Sequence, residues 1–127
     1  MGPEKKFTEW LKRNLKDVDI QRIEVVTAQG VPDCNIAIKG RSGNIWVELK
    51  SLKAIKIRKE QYAWGMRRTM LYDDDVYLWN GYDKIVQMWK FPFNAEPAGK
   101  DHLKPKDKPL FEFSYDYFKE DFNLKLL

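Results

Sequence analysis

Phe7, Trp10, Leu11 and Leu15 recur at spacings of three and four residues, which predicts one amphipathic helix from Pro3 to about Lys16. After it the period changes. Ile20 to Thr27 alternates loosely and ends in β-branched residues, the pattern of a strand, and leads through Ala28-Gln29-Gly30 toward two short apolar runs. Those runs, Asn35 to Ile38 and Ile45 to Leu49, flank Lys39-Gly40-Arg41-Ser42-Gly43-Asn44, whose glycines and asparagine suit a hairpin turn. A second helix is expected from Arg58 to about Leu71, with Tyr62, Ala63, Met66 and Met70 as its packing stripe. Gly65 interrupts it at a cost of about 1 kcal/mol relative to alanine, which suits a close helix-to-sheet approach. Val76 to Trp79 and Ile85 to Phe91 read as a second strand pair around Asn80-Gly81 and Tyr82-Asp83. Four prolines mark Phe91 to Pro109 as a long loop, Leu110 to Phe113 adds an edge strand, and Ser114 is placed to cap a short helix carrying Tyr117, Phe118 and Phe122. The pattern therefore predicts an α/β domain spanning 1–127, in which a central mixed sheet, ordered helix–β–β–β–helix–β, is covered by the two helices.

The hairpin also carries the chemistry. Successive strand residues alternate faces, so Glu48 and Lys50 share one face while Val47 and Leu49 take the other. Folding the hairpin symmetrically about Gly40 to Gly43 puts Ile38 opposite Ile45, Asp33 opposite Lys50, and Asp33 diagonal to Glu48. Two carboxylates and one lysine then meet. Carboxylates on neighbouring strands suit a hard divalent cation such as magnesium, with manganese as a substitute, and such an ion activates water and polarises a phosphoryl oxygen. The ammonium of Lys50 would orient that water or offset developing charge. This is the equipment for phosphodiester hydrolysis. Asn35 shares the face of Asp33, either supporting the site or capping the strand entrance.

Pro32-Asp33, then Glu48-Leu49-Lys50 after a hairpin-sized gap, then Gln61 on the following helix, resembles the PD-(D/E)xK nuclease superfamily. Arg22-Ile23-Glu24 ahead of Gly30-Val31-Pro32-Asp33, Trp46 before the Glu-Leu-Lys triplet, and Trp64 after Gln61 are similar to its small phage, VRR-NUC-type and Holliday-junction-resolvase-like members. The resemblance spans about the first two-thirds of the chain and implies a restriction-endonuclease-like core. It further implies that Asp33, Glu48 and the backbone carbonyl of Leu49 bind metal, that Lys50 is catalytic, and that Gln61 approaches the site from its helix. In such proteins an acidic residue of the first helix often joins the metal. Glu4 matches its usual place and lies near the edge of the apolar stripe, whereas Glu9 falls almost opposite that stripe; a solvated glutamate at a helix start is the alternative for Glu4.

Charge sharpens the choice of substrate. The net charge of +4 and pI near 9.1 permit nucleic acid without demanding it. Past Lys50, however, Lys53, Lys56, Arg58, Lys59, Arg67 and Arg68 stand against Glu60 alone. Such a run is either a solvated helix face or a phosphate-binding surface, and its place beside a candidate phosphodiester site favours DNA. Arg22 and Glu24 form either an exposed strand pair or a reach toward the site.

Several function classes are excluded. Cys34 is the sole cysteine and His102 the sole histidine, which rules out an intrachain disulfide and a cysteine-rich zinc site and argues against Ser-His-Asp and histidine-zinc chemistry. Asp73-Asp74-Asp75 lacks calcium-loop spacing and is expected to end the helix and turn the chain. The absence of a long apolar run or signal-peptide core leads to an expectation of a cytoplasmic protein without membrane contact. With 43% hydrophobic residues and five tryptophans the chain is expected to fold. The expectation is a magnesium-dependent DNA endonuclease; the resemblance implies branched or structured DNA, and cutting two strands at a junction would favour a homodimer. A catalytically inactive DNA-binding module and an aromatic protein-interaction domain are the rival readings.

Overall fold

A computed structural model describes residues 2–23 and 30–116. Its elements, in chain order, are α1 (Pro3–Asn14), β1 (Val18–Arg22), β2 (Cys34–Ile38), β3 (Ile45–Lys50), β4 (Ile57–Arg58), α2 (Lys59–Tyr72), β5 (Val76–Tyr82), β6 (Ile85–Lys90), β7 (Ala95–Pro97), β8 (His102–Pro105) and β9 (Phe111–Ser114). Strands β1, β2, β3, β5, β6 and β9 form one mixed sheet in that order; β3 and β5 run parallel and every other neighbouring pair runs antiparallel. A crossover is needed between parallel strands, and α2 lies in it.

Alternation divides the core between the two faces of this sheet. Phe7 and Leu11 of α1 pack on Ile36, Ile45, Val47, Leu49, Tyr77, Trp79 and Met88. The other face joins Trp64 of α2 to Leu78, Trp89, Phe91 and Phe93, with Trp46 packed alongside. Consequently Glu48 and Lys50, in register with Trp46, face the α2 side, and α1 approaches from behind the strand.

Two glycines set the layer spacing. A Cβ at Gly81 would overlap the ring of Phe7, and one at Gly65 would lie 2.6 Å from the ring of Phe91, so each helix sits closer than a side chain would permit. The close approach expected at Gly65 is present.

Packing alters several sequence-level assignments. The buried stripe of α2 is Gln61, Trp64 and Gly65, while Ala63 and Met70 are exposed. The close contact of Gly65 with Phe91 orients the helix, outweighing apolar spacing. The second hairpin turns at Asp83 and Lys84, which have φ of 51° and 60°, and not at Asn80-Gly81, which remain in β5. Segment 91–109 is not an unbroken loop: β7 and β8 join β4 in an antiparallel three-stranded sheet, their pairings Ile57↔Leu103 and Ala95↔Pro105 arising from contacts that local sequence does not announce. The edge strand is present as β9. Strand β1 begins at Val18; the remainder of its expected span beyond Ile23 and the expected helix residues Tyr117, Phe118 and Phe122 lie outside the described residues. Among the described residues no helix is long and apolar enough to cross a membrane.

Candidate active site

Hairpin register decides which side chains meet. The observed partners are Cys34↔Val47, Asn35↔Trp46 and Ile36↔Ile45, two residues away from the symmetric register. Extended by one step, this register places Asp33 across from Glu48 instead of Lys50. Arg41 supplies the reason: its guanidinium contacts the carbonyls of Ser42 and Gly43 and pairs with Asp75 at 2.6 Å, holding the turn toward the start of β5. Since side chains repeat every two residues, a two-residue shift preserves the face, and Asp33 remains on the side of Glu48. Its Oδ2 accepts the amide of Leu49 at 3.0 Å, and its carbonyl accepts the amide of Ile23 at 2.7 Å, so Asp33 is clamped between strands.

Glu48 is the centre of the cluster. It is buried, and its Oε2 receives Lys50 Nζ at 3.1 Å and Gln61 Nε2 at 2.9 Å. Its Oε1 is buried without a hydrogen-bond partner. Burial, followed by the nearby charge of Asp33, raises its carboxyl pKa to about 8, against a smaller opposing effect of Lys50. An orphaned buried oxygen on a carboxylate crowded by another is the environment a proton or a cation would relieve.

Gln61 is fixed from both ends, its Oε1 accepting the backbone amide of Arg58 at 2.9 Å. It thereby joins the first turn of α2 to the site. Burial raises the carboxyl pKa of Glu4, with the charge of Asp33 adding to the effect and Lys50 and Arg22 opposing it. Glu4 thus shares the local field, and it lines a cleft of about 380 Å³ with Pro3, Lys50, Ser51, Leu52, Lys56 and His102. Among the described residues no three acidic, cysteine or histidine side chains form a group able to hold a metal ion; Asp33 and Glu48 are a pair. Arg22 leans on α1, its Nη1 lying 3.4 Å from Thr8 Oγ1. Cys34 is buried, and desolvation pushes its thiol pKa up to about 12, which leaves it inert as a nucleophile.

The basic residues separate into different environments. Lys53, Lys56, Arg58 and Lys59 are exposed along the β3–β4 connection and the start of α2, with Arg58 lying 3.4 Å from Glu60. Arg67 is exposed farther along α2. Arg68 is engaged internally: it pairs with Asp74 at 2.6 Å and lies over the rings of Trp46, Trp64 and Tyr72. The three aspartates diverge, with Asp73 ending α2 at φ 56°, Asp74 binding Arg68, and Asp75 binding Arg41 and Lys90. Asn35 Oδ1 accepts Asn44 Nδ2 at 2.9 Å across the hairpin.

Two residues have places at the site that their local sequence does not show. His102 reaches the cleft because β8 pairs with β4, a contact with no local signal. Gly30, with φ of 82°, lies against the backbone of Glu60, where an added Cβ would overlap the carbonyl oxygen. That close approach positions the chain ahead of Asp33, and its only trace in the sequence is a glycine two residues ahead of Pro32.

The fold is restriction-endonuclease-like, a mixed sheet with a helix on each face. It is similar to a solved structure of Hjc from Archaeoglobus fulgidus, a Holliday junction resolvase from an archaeal hyperthermophile. That likeness has a TM-score of 0.53 and 12% identity, and covers 78% of this chain and 87% of that chain. No family model and no curated protein sequence matches the chain.

Proposed function

We propose that the protein is a metal-dependent endonuclease that hydrolyses phosphodiester bonds in DNA, with branched DNA as the favoured class. The observation that supports this reading best is the buried Glu48, which has an orphaned Oε1, faces Asp33 and is paired on Oε2 with Lys50. The pair Asp33 and Glu48, with the backbone carbonyl of Leu49, fits a hard divalent cation, magnesium or manganese, while Glu4 stands outside the pair and would act on the ion only through the shared field. Such an ion, when bound, supplies an acidified water and a Lewis acid for the phosphoryl oxygen.

The chain's own residues supply positioning and charge. Lys50 would place its ammonium beside the attacked phosphate and stabilise the negative charge that grows there. Gln61 holds Glu48 Oε2 in place while α2 carries it. Asp33, anchored by the amide of Leu49, keeps a second carboxylate facing the first. Lys53, Lys56, Arg58, Lys59 and Arg67 supply exposed charge for the DNA backbone, and Arg68 supports the aromatic floor beside Trp46. The fold of a junction resolvase supports branched DNA, and paired cuts would use two copies of the chain.

The test is cleavage of labelled single-stranded, duplex, flapped and four-way-junction DNA with magnesium, manganese or EDTA, using wild type and Lys50→Ala. Cutting should require the divalent ion, favour a branched substrate and fall by about 10²-fold or more in the variant. Salt-sensitive DNA binding without cutting on any substrate would instead support the inactive binding module.

A further inference from the structure

Resting on the nuclease reading, we infer that His102 and Lys56 form a second phosphate site, which holds a DNA backbone phosphate next to the one being cut. The cleft that contains Lys50 and Glu4 is completed by Lys56 from the β3–β4 connection and His102 from β8. Its walls are built into the fold. Ser51 Oγ donates to the Gly81 carbonyl at 2.5 Å, while buried Asn80 holds both the amide and the carbonyl of Leu52 at 2.9 and 3.0 Å. The chain leaving the candidate catalytic lysine is therefore pinned before it reaches Lys56.

The opposite wall is also anchored. β8 pairs with β4 through Arg58↔His102, and the amide of Lys59 bonds the carbonyl of Asp101 at 3.0 Å. His102 Nδ1 lies 2.9 Å from the carbonyl oxygen of Lys100. A carbonyl can only accept, so Nδ1 carries a hydrogen and Nε2 is the nitrogen left for a ligand. A phosphate oxygen is an acceptor, so a contact with it would be made by an N–H at Nε2. The charged groups around it are Lys50, Lys56 and Arg58, with Glu4 and Asp101 opposing them. Phosphodiester backbone is the ligand this set suits, because it offers successive anionic oxygens to the cations Lys50 and Lys56 that line the same cleft.

The experiment measures KM and kcat on the preferred DNA, and Kd with the ion withheld, for wild type, His102→Ala, His102→Gln and Lys56→Ala. A set of substrates carries a single uncharged methylphosphonate at successive positions around the cut. His102→Ala and Lys56→Ala should each weaken KM and Kd by about tenfold, the worth of one charge-assisted hydrogen bond, with the effect falling on KM and not on kcat. The amide of His102→Gln should restore much of it. One methylphosphonate next to the cut should impair wild type and leave the alanine variants without additional loss. Lys56 is exposed, so its variant separates recognition from folding. Unchanged KM and Kd in both alanine variants, or an equal methylphosphonate penalty in wild type and variants, overturns the inference while leaving the nuclease reading intact. DNA binding without cutting removes the nuclease reading, and the second phosphate site is then judged on Kd. No DNA binding by wild type removes both.

Discussion

Glu48 is the most costly residue of the site to fold. A carboxyl whose pKa rises from 4.5 to about 8 on folding binds its proton more tightly in the native state than in the unfolded chain. The native state is therefore penalised as pH rises from about 4.5 through 8, and the penalty is complete above that window. With divalent ions withheld, wild-type thermal stability should decline over this interval. Glu48→Gln should flatten the profile and raise stability at pH 7 by on the order of 1–3 kcal/mol, because its amide needs no proton uptake on folding. Calorimetry across pH tests this, and a variant less stable than wild type at pH 8 would contradict it. The same residue makes ion binding compete with a proton. Added magnesium or manganese should raise the wild-type melting temperature more at pH 8 than at pH 6, and should have little effect on Glu48→Gln.

At the scale of elements, the site depends on how α2 meets the hairpin. Gly30 carries a left-handed φ against the carbonyl of Glu60, so Gly30→Ala combines backbone strain with a steric overlap. The chain ahead of Asp33 must shift, and the distance from Asp33 to Glu48 shifts with it. Stability should fall by about 1–3 kcal/mol, with cleavage falling more than DNA binding. Urea unfolding together with cleavage assays would check both parts, and unaltered cleavage would show that Gly30 does not position Asp33. Gly65→Ala differs in kind: its added methyl meets the ring of Phe91 at 2.6 Å, and the nearest atoms all belong to that ring. It should reduce stability by about 1–2 kcal/mol despite alanine's better helix propensity, while the folded fraction remains active.

At the scale of the whole molecule, the cations that follow Lys50 fall into two environments. Lys53, Lys56, Arg58 and Lys59 are exposed near the cleft, whereas Arg68 is held by Asp74 and three aromatic rings. DNA affinity should fall linearly with salt on logarithmic axes. Replacing Lys53, Lys56 or Lys59 by alanine should lower the slope by about one for each phosphate no longer neutralised. Arg68→Ala should act mainly through stability, by on the order of 1–2 kcal/mol, leaving the salt slope near wild type. Binding titrations over a range of salt, paired with melting curves, distinguish the two effects. A slope reduced as much by Arg68→Ala as by the lysine variants would assign that guanidinium to DNA.

Local periodicity was enough to set the faces of β3 and α1. Alternation in Ile45–Lys50 put Glu48 and Lys50 on one face, and helical spacing in α1 placed Phe7 and Leu11 against the sheet. The two-residue error in hairpin register did not exchange the faces, because strand side chains repeat with a period of two. What stands opposite each face came from long-range packing. Arg41 drew the turn toward Asp75 and brought Asp33 across from Glu48; Gly65 let α2 settle on Phe91 and turned Gln61, not Ala63 or Met70, inward. The pairing of β4 with β8 carried His102, distant along the chain, to the cleft beside Lys50. Periodicity encodes the face of each element through neighbours a few residues apart, whereas register, helix rotation and long-range pairing minimise the energy of contacts between segments, which local sequence does not contain.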